Sequence, residues 1–249
     1  MKLPQHTSRF TFHDATVLLI VSGQLDLDDG VNAMSADGPE SLVLVEPNTR
    51  VDLLKTPGGS EQRFRSIFLT FSSVLLDSFH RTYPGTRSEC TPAIPFRTLS
   101  LDHELSDTLR HVVESIENGS ISDERLRCRL MDLLLAFAER GHSFGRVDLD
   151  STAGRLRALI GEAPAHPWTA QSVGKELAMS PATLRRRLAS EHVRFEDLLI
   201  DVRMHHAMML IQTTAWGIGR IAEECGYKSR ARFTERFQER FGYLPSAVR

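Results

Sequence analysis

The chain has 249 residues, 41% of them hydrophobic and 25% charged, with a formal net charge of -2; this is ordinary for a soluble globular protein and enough for one large or two modest domains. No apolar run approaches the roughly 20 residues of a membrane span, and "MKLPQHTSRF" lacks the apolar segment of a secretory signal. Cys90, Cys128 and Cys225 are scattered and never in CxxC spacing, which points away from a disulfide framework or a zinc site and towards buried small hydrophobes in a reducing, cytoplasmic compartment.

From Thr7 to Phe71 the apolar residues come in short, β-branched runs separated by turn residues: "TVLLIVSGQLDLDDG", "SLVLVEPNTRVDLL", "RFRSIFLTF". Such runs read as strands of an antiparallel barrel or sandwich. In "QLDLD" Leu25 and Leu27 alternate with polar residues, so one face of that strand is wet. "SSVLLDSFHRTY" changes to a helical period and is stopped by Pro84 and Gly85. Two helices follow, over 101–118 and 122–139. Leu105, Leu109, Val112 and Ile116 make one stripe, and Leu126, Leu130, Leu133 and Phe137 the other. "NGS" joins them as a helical hairpin. Val113, Leu134 and Leu135 broaden the stripes, which leaves two readings open: packing on the β domain, or pairing of two subunits through Leu105, Leu109, Val112, Val113 and Ile116.

"RGHSFGRVDLDS" has two glycines and no apolar period, as a linker over about 141–151 would. Beyond it every segment reads helical: 152–162, 169–178, 181–191, about 195–212, 218–225 and 230–241. The charge changes too. Residues 151–249 carry 15 Lys/Arg against 10 Asp/Glu, whereas residues 1–150 carry 15 against 22, an asymmetry that suits a polyanion-binding domain joined to one that binds none.

Within the basic half one unit occurs twice. In "WTAQSVGKELAMSPATLRRRLASE" Thr169 caps a helix, Met179-Ser180-Pro181 breaks it, and Ser180 with Pro181 opens the next. Leu184 and Leu188 face inward there, which turns Ala182, Arg185, Arg186 and Ala189 outward, with Ser180, Ala182, Thr183, Arg185 and Arg186 as the candidate DNA contacts. A helix of that kind fits the major groove, where an arginine can donate two bonds to a guanine. In the second copy Ile218, Ile221 and Ala222 face inward, Gly226 ends the first helix, and Ser229 caps another. Phe233, Phe237 and Phe241 anchor it, leaving Lys228, Arg230, Ala231, Arg232, Glu235 and Arg236 for phosphates and bases. The connecting stretch "FEDLLIDVRMHHAMMLIQ" predicts a helix of about 17 residues, ~25 Å long, which spaces the two units for successive grooves of one duplex.

"IGRIAEECGYKSRARFTERFQERFGYLPSAVR" resembles the C-terminal signature of the AraC/XylS (arabinose-regulator) family of bacterial transcription regulators, on Ile218, Ile221, Ala222, Gly226, Tyr227, Ser229, Phe233, Phe237, Gly242, Pro245 and Arg249. "LAMSPATLRRRL" and "VRMHHAMMLI" similarly resemble its first reading unit and connecting helix. Three positions depart from the pattern: Gly174, where alanine is usual; His192, where glycine is; and Glu235, where an arginine often stands. At Glu235 the choice is between accepting from a cytosine amino group and an i,i+3 pair with Arg232.

The N-terminal half resembles the small β-barrel sensing domains of the same family, particularly those of virulence and acid-resistance regulators. The expected fold class is thus α+β: a small cupin-like barrel with a helical hairpin over 1–140, then an all-α domain over 152–249 with two helix-turn-helix units on a long helix. The resemblance implies sequence-specific binding of double-stranded DNA and recruitment of RNA polymerase; the expected function is accordingly that of a transcription activator, and a homodimer is expected if the hairpin pairs two subunits. It leaves two triggers open. One is a small apolar, fatty-acid-like effector whose carboxylate meets Arg9, His13 or Lys55; the other is a protein partner or antagonist. The rival reading is a cupin-type metal enzyme fused to a DNA-binding module. The barrel segment offers only His6 and His13, without an HxH pair, and no GxSxG or phosphate-cradling loop is present. The expectation is binding rather than turnover, with neither metal nor cofactor.

Overall fold

The computed structural model describes residues 4–86, 94–119, 121–145 and 151–248. Cys90, Arg249 and residues 146–150 of the expected linker lie outside them. The chain divides into two compact units, 1–147 and 148–249.

The first unit opens with seven strands: β1 (Gln5–Phe12), β2 (Ala15–Ser22), β3 (Gln24–Asp28), β4 (Ala33–Ala36), β5 (Ser41–Val45), β6 (Thr49–Thr56) and β7 (Arg65–Phe71). An eighth, β8 (Phe96–Ser100), returns later in the chain; it escaped the sequence reading because it is short and isolated among helices. Among the described residues the strands form no single closed barrel. They make two four-stranded antiparallel sheets, β1-β6-β3-β4 and β7-β2-β5-β8, each with its own ladder.

Burial explains the sequence of each sheet. All eight strands contribute to one core that includes Phe12, Leu18, Ile20, Leu25, Val43, Leu53 and Phe96. On β3 only Leu25 and Leu27 are buried, so the alternation of "QLDLD" marks a half-buried sheet, as expected. The β7-β2-β5-β8 sheet is covered on both faces. Val17, Leu42, Leu44, Leu69 and Phe71 point to a second core shared with helices α1 (Ser73–Thr82), α2 (His103–Asn118) and α3 (Asp123–Glu139). Coverage on both sides is why β2 and β5 are near-continuous apolar runs rather than alternating ones.

The three helices start where the sequence places capping side chains: Ser72, Asp102 and Ser122 each accept from a backbone N–H in the first turn. Helix α2 ends on Gly119 at φ 57, and α3 packs against it. Arg140 then ties the end of α3 to the start of α2 through Asp102 and Glu104 at 2.9 and 2.8 Å.

Part of the expected linker belongs to this unit. Phe144 is buried in the helix-facing core, Gly145 donates its N–H to Glu46 at 2.7 Å, and Arg97 donates to Glu46 and to the Ser143 carbonyl. A single anchoring phenylalanine leaves no periodic signal in "RGHSFG", which is why the stretch reads as free linker.

The second unit contains α4 (Thr152–Glu162), α5 (Ala170–Glu176), α6 (Pro181–Ser190), α7 (Phe195–Thr213), α8 (Ile218–Glu224) and α9 (Arg230–Phe241), closed by a 3-10 turn at Pro245–Val248. Helices α4, α5 and α6 pack with the first half of α7 around Leu156, Ile160, Val173, Leu184, Leu188 and Leu198. Helices α8 and α9 pack on α7 as well, burying Ile221, Ala222, Phe233, Phe237 and Phe241. Glu191 braces the first cluster, accepting from the backbone N–H groups of Thr152 and Ala153 at 2.8 Å each, where a carboxylate also favours the positive end of α4.

Candidate nucleic-acid interface

Two helix pairs carry the site, α5 with α6 and α8 with α9, and their turns are built alike. Helix α5 closes with Met179 N–H on the Gly174 carbonyl at 2.7 Å, and α8 with Tyr227 N–H on the Ala222 carbonyl at 2.8 Å. This closure requires one left-handed residue, supplied by Gly226 at φ 76 in the second unit and by Ala178 at φ 53 in the first. Helix α6 closes the same way, through Val193 N–H on the Leu188 carbonyl with His192 at φ 56. The departure at His192 is therefore tolerated in the left-handed conformation itself. Gly174 also has its reason: a Cβ there would lie 2.6 Å from the Met179 carbonyl oxygen, so an alanine would require this turn to shift.

Helix α6 starts on Ser180, which accepts from the Thr183 N–H, and Pro181 holds its first position. Leu184 and Leu188 are buried; Ala182, Arg185 and Arg186 are exposed, and Thr183 is half-buried against Ser180. On the helical wheel Arg186 stands most directly opposite the leucines, with Arg185 on one flank and Arg187 on the other. Arg187 is also exposed, although the leucine spacing alone does not single it out. Among the described residues none of these three guanidinium groups has a hydrogen bond or ion pair.

Helix α9 starts on Ser229, which accepts from the Arg232 N–H, and ends on Gly242 at φ 83. Its three phenylalanines form a buried ladder with centroids 5.9 and 4.7 Å apart. Lys228, Arg230, Ala231, Arg232, Glu235 and Arg236 are exposed. A shallow groove runs over Ser229, Ala231, Arg232, Glu235, Gln238 and Glu239. The i,i+3 pair of Glu235 with Arg232 is not formed among the described residues; Arg236 instead bonds Glu239 at 2.7 Å. The outward face of α9 is therefore of mixed charge, whereas that of α6 carries arginine alone.

The effector candidates do not converge. Lys55 pairs with Gln5 at one end of β1 and β6, whereas His13 follows the Phe12–Thr49 pair at the other, about 20 Å away at ~3.3 Å per strand residue. Arg9 is exposed on a bulge of β1 at φ 53. Lys55 alone follows the inward register of Val51 and Leu53. Its Nζ lies 5.6 Å from the centre of the Phe64 ring, and burial lowers its ammonium to about 8. The dimerisation candidates divide as well. Leu105, Leu109 and Val112 are buried in their own unit's core with Val113 partly buried against them, while Ile116 is exposed. The cysteines also divide: Cys225 is buried, its thiol pushed up to about 12, but Cys128 is exposed.

Two helix-turn-helix units on one shared helix define the second unit as a double helix-turn-helix domain. Residues 173–249 match the family model of a helix-turn-helix domain. The HTH-type transcriptional regulator YdeO of Escherichia coli (strain K12) is 36% identical over 98 residues, 39% of this chain and 38% of that protein. The HTH-type transcriptional regulator GadX of E. coli O157:H7 is 32% identical over 125 residues, 49% of this chain and 46% of that protein. The chain thus spans under half the length of these curated relatives. A crystal structure of ToxT from Vibrio cholerae strain SCE256, with an unsaturated fatty acid bound, has the same fold at a TM-score of 0.63 and 16% identity, covering 98% of this chain and 89% of that one. No helix among the described residues is long and apolar enough to cross a membrane.

Proposed function

We propose that this protein is a sequence-specific DNA-binding regulator of transcription, an activator that binds rather than transforms its ligands. The observation that carries the reading is the outward face of α6, where unpaired arginines stand on a helix of major-groove size, fixed from beneath by Leu184 and Leu188. In this reading Arg185 and Arg186 read bases from α6. Lys228, Arg230 and Arg232 hold phosphates and set the register of α9, and Arg236 joins them by leaving Glu239. Base readout rests more on the first unit than on the second. Selection of binding sites from random duplexes with the full chain tests this: the expected product is one recurrent sequence with two contacted segments, and recovery of unrelated sequences would refute it.

The first unit is read as a cupin-like sensor of a carboxylate with an apolar tail, with Lys55 as the charge that meets it. An unsaturated fatty acid occupies ToxT, which shares the fold. Here an ammonium on the inward register of an apolar sandwich lacks a carboxylate partner among the described residues, and an anionic headgroup would repay its desolvation. The test is the melting temperature of the full chain titrated with oleate and with its methyl ester. A rise corresponding to about 2.7 kcal/mol of added stability at a ligand concentration of 100 times Kd is expected for the acid only. Equal rises would show an apolar ligand bound without the Lys55 charge and refute the carboxylate reading; no rise with either favours a protein partner as the trigger. RNA polymerase as the downstream partner, a homodimer and a cytoplasmic location complete the reading.

A further inference from the structure

Arg203 lies midway along α7 and reaches both helix-turn-helix units. Its Nε donates to the Pro164 carbonyl at 3.0 Å and its Nη2 to the His166 carbonyl at 2.8 Å, both in the α4–α5 connection. On its other side it meets the α8–α9 turn, with the guanidinium carbon 5.8 Å from the centre of the Tyr227 ring. Gly226 closes the contact. A Cβ on Gly226 would come within 2.6 Å of Arg203 Nη2 and 3.1 Å of the Ala165 carbonyl oxygen. Glycine thus serves twice here, for its left-handed φ and for the approach of the two loops. The units are joined by the continuous backbone of α7 and, independently, by a planar group whose several N–H donors have fixed directions. None of these contacts touches the faces that carry Arg185, Arg186 or Arg232.

Resting on the reading of α6 and α9 as a tandem DNA-reading pair, we propose that Arg203 is a positioning residue: it holds the two units at one separation and phase, so that the protein accepts two DNA segments at a single spacing. A base pair inserted between the segments shifts the second by ~3.4 Å and turns it by about 35°, which a rigid pair cannot follow and a hinged pair can.

The experiment uses the full chain, the duplex that the wild type selects from a random pool, and the same duplex with one or two base pairs inserted between its two contacted segments. For the wild type one insertion is expected to weaken binding by about tenfold or more. R203M keeps the stem and removes the donors; its affinity for the selected duplex drops, and its ratio between spacings shrinks to about threefold or less. R203K restores charge without the planar fork and does not restore the ratio. Should R203M melt below the assay temperature, the ratio for R203K alone decides. An unchanged ratio in the variant, with equal losses at every spacing, would make Arg203 a stability residue and overturn the proposal. A wild type indifferent to spacing would also overturn it while leaving DNA recognition standing. If the wild type selects no duplex, it is the DNA reading itself that fails.

Discussion

Arg186 and Ala178 illustrate two different demands on single residues in the same unit. Arg186 is exposed, unpaired and opposite the buried leucines of α6, so Arg186→Ala is expected to weaken the selected duplex by ~1–3 kcal/mol while sparing scrambled DNA. Competition binding checks this, and equal losses on both duplexes would mark a phosphate contact. Ala178 holds a left-handed conformation that glycine supplies in the second unit. Ala178→Gly is accordingly expected to raise stability by roughly 0.5–1 kcal/mol, the difference between relieved strain and added chain entropy. Gly174→Ala has the opposite sign, because its Cβ would meet the Met179 carbonyl oxygen; thermal melts of the two variants should move in opposite directions. The leucine spacing and the Ser180-Pro181 start made α6 legible in the sequence. The left-handed turn at Ala178 was not, since nothing in an alanine advertises a positive φ.

Helix α9 is organised by its phenylalanines. Phe233 and Phe237 are fully buried and Phe241 nearly so, and α9 rests on α7 through them and through Arg240, whose Nε donates to Asp201 at 2.7 Å. Phe237→Ala is expected to cost ~3–5 kcal/mol and to unfold the second helix-turn-helix unit; a variant with unchanged melting that merely binds DNA weakly would contradict this core assignment. The fourfold phenylalanine spacing placed this element correctly from sequence. The same kind of inference gave an incomplete answer for α2. Its stripe was found, but whether Leu105, Leu109 and Val112 met their own sheet or a second subunit depended on Phe71, Phe137 and Phe144, which are distant in sequence and close in the fold.

Across the whole chain, charge and burial separate the tasks of the two units. Residues 151–249 carry the basic excess and residues 1–150 the acidic one, so affinity for DNA should fall with salt through contacts of the second unit. Lys55 gives the first unit its own pH dependence. Its pKa is lowered from 10.5 to about 8 by burial, so between those values the unfolded chain binds the extra proton and the unit's stability rises with pH. Binding of a carboxylate runs the other way, because the ammonium it needs is lost as pH rises through about 8. Thermal melts with and without oleate across pH 7–10 should show both trends, and Lys55→Met should flatten both.

What the sequence determined by itself was local: helix starts, apolar stripes, the repeated helix-turn-helix unit and the arginines left over once the stripes were assigned. These follow from periodicity and capping, whose range is a few residues. The tertiary structure alone decided how eight strands divide into two sheets, that Phe144 ties part of the linker to the first unit, that Arg9, His13 and Lys55 lie apart, and that Arg203 meets Gly226. Each of these depends on groups brought together across tens of residues by strand register and helix packing, and no spacing along the chain encodes such a meeting.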